Sequence, residues 1–248
     1  MDEKSKAANG TLGLEPPSLP VEHGNLSHLL PSHFTSDITH WLEEDTPSFD
    51  YGGFIVGSEP RNAFLLCKSP GILAGVPFID EVFRQLECVV TWHYPEGVLL
   101  VPATEGGKIT VATVRGPTRK LLLGERVALN AMARCSGVAT KSRKMLDLVR
   151  EAGYTGILAG TRKTTPGFRL VEKYGMLVGG IDGHRHDLSS MIMLKDNHIW
   201  SKGAVFPGLC RLVIILMKVS RFHHQSRARC TSCWRLCSQD RGRVSVGG

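Results

Sequence analysis

Apolar side chains return with helical spacing between residues 32 and 46. Phe34, Ile38, Trp41 and Leu42 fall at i, i+4, i+7 and i+8, after Pro31-Ser32 and before Thr46-Pro47, and predict a helix. Ala63 to Cys67 is a short apolar run and reads as a strand. Phe78, Ile79, Val82, Phe83 and Leu86 share one helical face, so residues 77–87 are expected to be helical, with Pro77 near the start. Cys88 to Trp92 and Ile109 to Val114 read as strands, the second alternating and followed by a Gly116-Pro117 turn. Residues 121–152 favour helix, and Gly137 is a point where that stretch can divide in two.

The rhythm then changes. Ile157-Leu158-Ala159 is a short buried strand candidate running into the loop of residues 160–167. Arg169 to Tyr174 follows as a helix candidate, and Met191 to Leu194 as the next apolar strand, running into Lys195-Asp196-Asn197-His198. Strands that alternate with helices argue for parallel β-α-β units.

Composition narrows the class. The chain has 248 residues, 42% hydrophobic and 21% charged, enough for one large domain or two small ones. Its longest purely apolar run, Leu212 to Met217, is six residues, far below a membrane span. The polar start, Met1 to Lys6, has no signal-like apolar stretch after it, so a reducing compartment is expected. The net charge of +7 is unevenly placed. Residues 201–248 hold nine Lys or Arg and one acid, Asp240, whereas residues 1–200 hold 21 basic and 22 acidic residues. Cys210, Cys230, Cys233 and Cys237 crowd the same tail. The composition break reads as two kinds of sequence joined.

Candidate chemistry sits where strands end. Ligands of parallel α/β sheets and barrels bind at the C-terminal ends of strands. Arg162 and Lys163 leave one strand candidate there, and Lys195 leaves the next. A single Lys or Arg in such a loop is ordinarily a hydrated surface cation. Three at successive strand ends, with His184-Arg185-His186 between them, point to an anion site, since unpaired buried cations are costly. Arg126, Asn130 and Arg134 lie at i, i+4 and i+8 on one helical face, which by spacing alone is a solvated stripe.

Several runs carry a family resemblance. They are Gly124 to Asn130, Ala133 to Gly137, Gly160-Thr161-Arg162-Lys163-Thr164-Thr165-Pro166-Gly167, Val171 to Gly175, His184-Arg185 and Leu194-Lys195-Asp196-Asn197-His198. With Leu66 to Gln85 upstream, they resemble the quinolinate phosphoribosyltransferase family over about residues 29–200.

The resemblance implies an enzyme that makes nicotinate mononucleotide from quinolinate and phosphoribosyl pyrophosphate in NAD biosynthesis, releasing pyrophosphate and carbon dioxide, with magnesium. It implies an α/β fold: a small α/β sandwich followed by an incomplete α/β barrel. It implies a homodimer or larger homo-oligomer in which Arg126 completes the neighbour's pocket. Arg162, His184 and Arg185 would bind the two pyridine carboxylates, and Thr161 would line the pocket. Lys163 and Lys195 would be the catalytic cations that hold the substrates and the pyrophosphoryl group. No protein metal ligand is assigned, because the family's later carboxylates have no counterpart here.

The expected organisation is a flexible arm over residues 1–28, the α/β sandwich with its helix over 29–136, a partial barrel over 137–203 and an irregular basic, Cys-rich tail over 204–248. The motif resemblance stops near Ser201-Lys202-Gly203, so the chain is expected to be C-terminally truncated or frame-altered. The alternative is a catalytically inactive isoform acting only as a binding partner. A further alternative is a basic tail that takes zinc through Cys230-x-x-Cys233 or binds nucleic acid. Neither a membrane nor a nucleic acid is the expected partner, and a cytoplasmic location, with a nuclear one also open, is expected.

Overall fold

The helical faces read from the sequence find their cores. In the computed structural model, which describes residues 25–191 together with 193, 195, 197 and 198, helix α1 spans Phe34–Asp45 and buries Ile38 completely. A short helix α2, Tyr51–Val56, follows with the Asp50 carboxylate accepting from Gly53 N. Strand β1 is Pro60–Cys67, β2 is Gly71–Ile72, and helix α3 is Val76–Gln85. Strands β3 (Val89–Trp92), β4 (Leu99–Leu100) and β5 (Ile109–Pro117) complete the first half. Helix α4 (Thr118–Glu151) and helix α5 (Arg169–Val178) form most of the rest. The chain divides into units 1–191 and 192–248.

The main sheet is antiparallel, in the order β1-β5-β3. Pro60 pairs with Pro117 at one end and Cys67 with Ile109 at the other, with a bulge between Leu65 and Leu66. Ala63, Leu65 and Cys67 pack towards the core, while Phe64 and Leu66 alternate outwards into solvent. Helices α3 and α4 pack on this sheet, so the fold is the expected mixed α/β layering. Phe78, Ile79 and Val82 of α3 are fully buried, as their spacing requires.

Two sequence expectations are corrected, and a third falls largely outside the described residues. Gly137 does not divide the long helix: α4 is continuous from Thr118 to Glu151. One interior glycine costs about 1 kcal/mol, and buried Ala131, Cys135 and Ala139 anchor the helix on both sides of it. The expected buried strand at Ile157 to Ala159 is a single parallel bridge, Ala159 to Asp182, and Ile157 is exposed. A strand with one short described neighbour has no second ladder to bury it. Of the expected strand at 191–194, Met191 lies in an exposed bend, and Ile192 and Leu194 are outside the described residues. Residues 1–24 of the arm expected over 1–28, and the tail at 204–248, are also outside them, while Leu26–Leu29 of the described part form a 3-10 turn.

Candidate active site

The site begins with how closely α5 lies on α4. A Cβ on Gly175 would sit 2.6 Å from the Cys135 carbonyl oxygen, and one on Gly179 would sit 2.6 Å from that of Ala139. Only glycines at i and i+4 permit this approach. It fixes α5, and with it the loops at either end. Trp41 of α1 packs its ring 5.1 Å from Phe168, the residue before α5.

Two backbone bonds join those loops. Asp182 N donates to Leu158 O at 2.9 Å, and Gly160 N donates to Asp182 O at 2.8 Å. The bridge is parallel. Thr161-Arg162-Lys163 and Gly183-His184-Arg185 therefore leave it side by side, in the same direction. This brings together Thr161, Arg162, His184 and Arg185 of the sequence-derived set.

The first loop is tied down from α5. The Glu172 carboxylate accepts from Thr165 Oγ1 at 2.8 Å and Thr165 N at 3.1 Å, and Arg169 Nε donates to Thr164 Oγ1 at 3.1 Å. Glu172 is 7% exposed. Arg134 Nε lies 3.8 Å from it, which links α4 to the same loop. Thr161 Oγ1 accepts from Lys163 N at 3.1 Å. Arg162 is half-buried, and its Nε is buried without a hydrogen-bond partner among the described residues. Such a donor is costly unless a ligand meets it.

The second loop is strained into place. His184 has φ of 56°, a left-handed conformation that few non-glycine residues adopt. Its N–H donates to the Asp182 carboxylate, and its Nδ1 accepts from Arg185 N at 2.6 Å. The neutral imidazole proton is thereby set on Nε2. Arg185 Nη1 reaches Met191 O at 3.4 Å.

Lys173, 5% exposed, donates through Nζ to Gly183 O from beneath this loop. Burial pushes its ammonium below the ordinary lysine value. Arg169 and Arg162 push the same way, and Asp182 opposes them. Lys173, Arg162 and Arg169 thus share one region with the carboxylates of Asp182 and Glu172.

The set also includes Lys163, Arg126 and Lys195. Lys163 is exposed on its loop. Arg126 faces solvent, 3.8 Å from Glu125, roughly 12 Å along α4 from Arg134 by the helical rise. Lys195 belongs to the second unit, where it is exposed, and its N–H donates to His198 Nδ1 at 3.2 Å. A groove of about 750 Å³ runs past Asn130, Arg134, Lys141 and Phe168.

Sequence reasoning assigned no role to Glu172, Lys173 and Asp182. For Glu172 and Lys173 the available signal was an adjacent acid and base set between apolar Leu170-Val171 and aromatic Tyr174. Among the described residues no three His, Cys, Asp or Glu side chains gather as a metal site. Asp182 and Glu172 are each occupied by loop donors.

Fold and site together define an α/β protein in which two loops carrying cationic side chains leave one parallel bridge, with α5 between them in sequence. Comparison with known proteins specifies the class. The model of the quinolinate phosphoribosyl transferase N-terminal domain matches residues 37–136, and that of the C-terminal domain matches residues 138–212. The chain is 54% identical over 168 residues to the human nicotinate-nucleotide pyrophosphorylase [carboxylating], covering 68% of this chain and 55% of that one. It is 47% identical over 191 residues to the Dictyostelium discoideum protein of the same name, covering 73% and 64%. The solved structure of the nicotinate-nucleotide pyrophosphorylase from Francisella tularensis superposes with a TM-score of 0.65 at 29% identity, covering 75% of this chain and 65% of that one. The chain belongs to the quinolinate phosphoribosyltransferase family. It spans between 55% and 64% of the length of these two curated relatives.

Proposed function

We propose that the site binds quinolinate and serves phosphoribosyl transfer to it with decarboxylation, the reaction that yields nicotinate mononucleotide, pyrophosphate and carbon dioxide. The observation that carries this reading is the buried, unpartnered Arg162 Nε beside the bridge that brings His184 and Arg185 alongside. Quinolinate is a flat dianion, and guanidinium forks match carboxylates bidentately. Arg162 takes one carboxylate, and His184 with Arg185 takes the other. Thr161 lines the floor.

Held this way, the ring nitrogen is aimed at the anomeric carbon of phosphoribosyl pyrophosphate, a task of positioning. The N–C bond forms as the C–O bond to pyrophosphate breaks, and the pyrophosphate leaves with that electron pair. Lys163 offsets the charge that develops on it. The ring nitrogen is then cationic. It stabilises the electron pair left on the ring carbon when the adjacent carboxylate departs as carbon dioxide, and a proton from water fills that position.

Magnesium would come with the pyrophosphorylated substrate, since no three His, Cys, Asp or Glu side chains of the described residues gather as a metal site. A homodimer in which Arg126 serves a neighbouring pocket belongs to the same proposal, supported by its solvent-facing guanidinium. A cytoplasmic or nuclear location is carried with it. No helix among the described residues is long and apolar enough to cross a membrane. The inactive-partner and tail-binding alternatives are not favoured by matches to both family domains.

Calorimetric titration of the purified chain with quinolinate tests binding, and release of labelled carbon dioxide with phosphoribosyl pyrophosphate tests turnover. Quinolinate binding that is lost in Arg162→Ala is the expected result. Absence of binding by the wild-type chain overturns the reading.

A further inference from the structure

A buried lysine is an expensive way to hold a carbonyl, because a neutral donor would make the same hydrogen bond without a desolvated charge. Lys173 is such a lysine. Its stem runs under Gly183, whose Cβ position lies 3.6 Å from Lys173 Cδ. Its Nζ donates to the Gly183 carbonyl, the peptide immediately before His184. Three attachments therefore converge on that turn: the Asp182 backbone bridge to the 158–160 segment, the Asp182 carboxylate on His184 N, and the Lys173 ammonium on Gly183 O. Together they hold His184 at its left-handed φ. Without the ammonium, Gly183 O is freed and the turn can relax towards ordinary backbone.

The charge has a second consequence. Burial and the neighbouring Arg169 and Arg162 disfavour the ammonium, with Asp182 the opposing carboxylate. A dianion at the rim offsets this repulsion, so ligand and lysine stabilise one another.

We propose that Lys173 is a positioning residue: it clamps Gly183 O so that His184 and Arg185 meet the second carboxylate of a pyridine dicarboxylate. It thereby sets the preference for two carboxylates over one. This deepens, and rests on, the quinolinate-binding reading above. Lys173 itself touches neither carboxylate; it acts through the turn.

The test uses the full chain and two variants. Lys173→Met fills the same channel without donor or charge. Lys173→Gln keeps a shorter neutral donor. Each is titrated calorimetrically with quinolinate and with nicotinate, which carries one carboxylate, and amide exchange at His184 is followed in parallel. The expected result is a loss of at least tenfold in the quinolinate-to-nicotinate affinity ratio for Lys173→Met, a smaller loss for Lys173→Gln, and faster His184 exchange in both. A merely structural lysine would weaken both ligands alike and leave the ratio unmoved. A wild-type ratio in a variant that keeps the wild-type circular dichroism overturns the proposal while the quinolinate reading stands. Unfolding of both variants assigns Lys173 to stability and also overturns it. If the wild-type chain binds no quinolinate, both readings fall.

Discussion

The Tyr174 hydroxyl donates to Glu96 Oε2 at 2.5 Å, across 78 positions of sequence. The other Glu96 oxygen accepts from Gly75 N at 2.6 Å and Val76 N at 2.9 Å, at the start of α3. One carboxylate thus caps a helix of the sheet layer and ties it to the helix that supports the candidate site. The Tyr174 ring meets Phe78 of α3 edge-on at 5.5 Å, so packing and hydrogen bonding converge at one point. Burial pushes the Tyr174 hydroxyl well up, with Glu96 adding to the shift, so the proton stays on tyrosine.

Glu96 should make stability depend on pH. Burial raises its carboxyl above the ordinary glutamate value of 4.5, against the lowering effect of its Tyr174, Gly75 and Val76 donors. A raised folded-state pKa means that the folded state holds the proton more tightly than the unfolded chain. The stability from this group is complete below the unfolded value and is lost as pH rises through the folded one. Gln at this position keeps the two backbone contacts and has no proton to lose. Urea denaturation should therefore show Glu96→Gln gaining on wild type as pH rises above the ordinary glutamate value of 4.5. A constant gap as pH rises contradicts the assignment.

Arg162→Ala should lower quinolinate affinity by about 3 kcal/mol, roughly a hundredfold, the order expected for a lost charge-assisted fork. Calorimetry measures it, with the unfolding midpoint little changed. Near-wild-type affinity would remove Arg162 from the site.

Glu172→Ala frees Thr165 N and Oγ1 and so unties the loop of residues 161–167. Limited trypsin digestion should then cut faster after Arg162 and Lys163, with the cut mapped by mass spectrometry. Unchanged cleavage there would mean that the loop is held by other contacts.

Two helical glycines, one in α5 and one in α4, should respond oppositely to alanine. Gly175→Ala drives a methyl against the Cys135 carbonyl and should cost about 2 kcal/mol or more. A Cβ on exposed Gly137 meets nothing within 4 Å, so Gly137→Ala should stabilise α4 by about 0.5–1 kcal/mol. Chemical denaturation of the two variants decides both signs.

Cys135 is fully buried, and burial pushes its thiol well up, as it does less strongly for Cys88. Iodoacetamide at neutral pH should leave both unmodified in the folded protein and alkylate them in urea. Peptide mapping reads the result at each site, and labelling of Cys135 before unfolding would mean that α4 and α5 separate.

Much of the fold was legible because its elements are amphipathic at short range. The periodicity of Phe34, Ile38 and Trp41, and of Phe78, Ile79 and Val82, is a local property, and both helices formed where it lies. The break expected at Gly137 failed because propensity at one residue is weaker than burial along a whole helix. The strand expected at Ile157 failed because an apolar run is buried only if neighbours cover it.

By itself the sequence determined which residues could be helix, strand and cationic loop, and which motifs it shares with a family, since these follow from side-chain chemistry and spacing along the chain. Only the tertiary structure decided that Arg162 and His184 leave one parallel bridge together, that Lys173 turns inward beneath Gly183, and that Glu96 answers Tyr174. Those pairings join positions far apart in sequence or on opposite sides of a turn. They depend on how closely α5 can approach α4, a distance that no local pattern encodes.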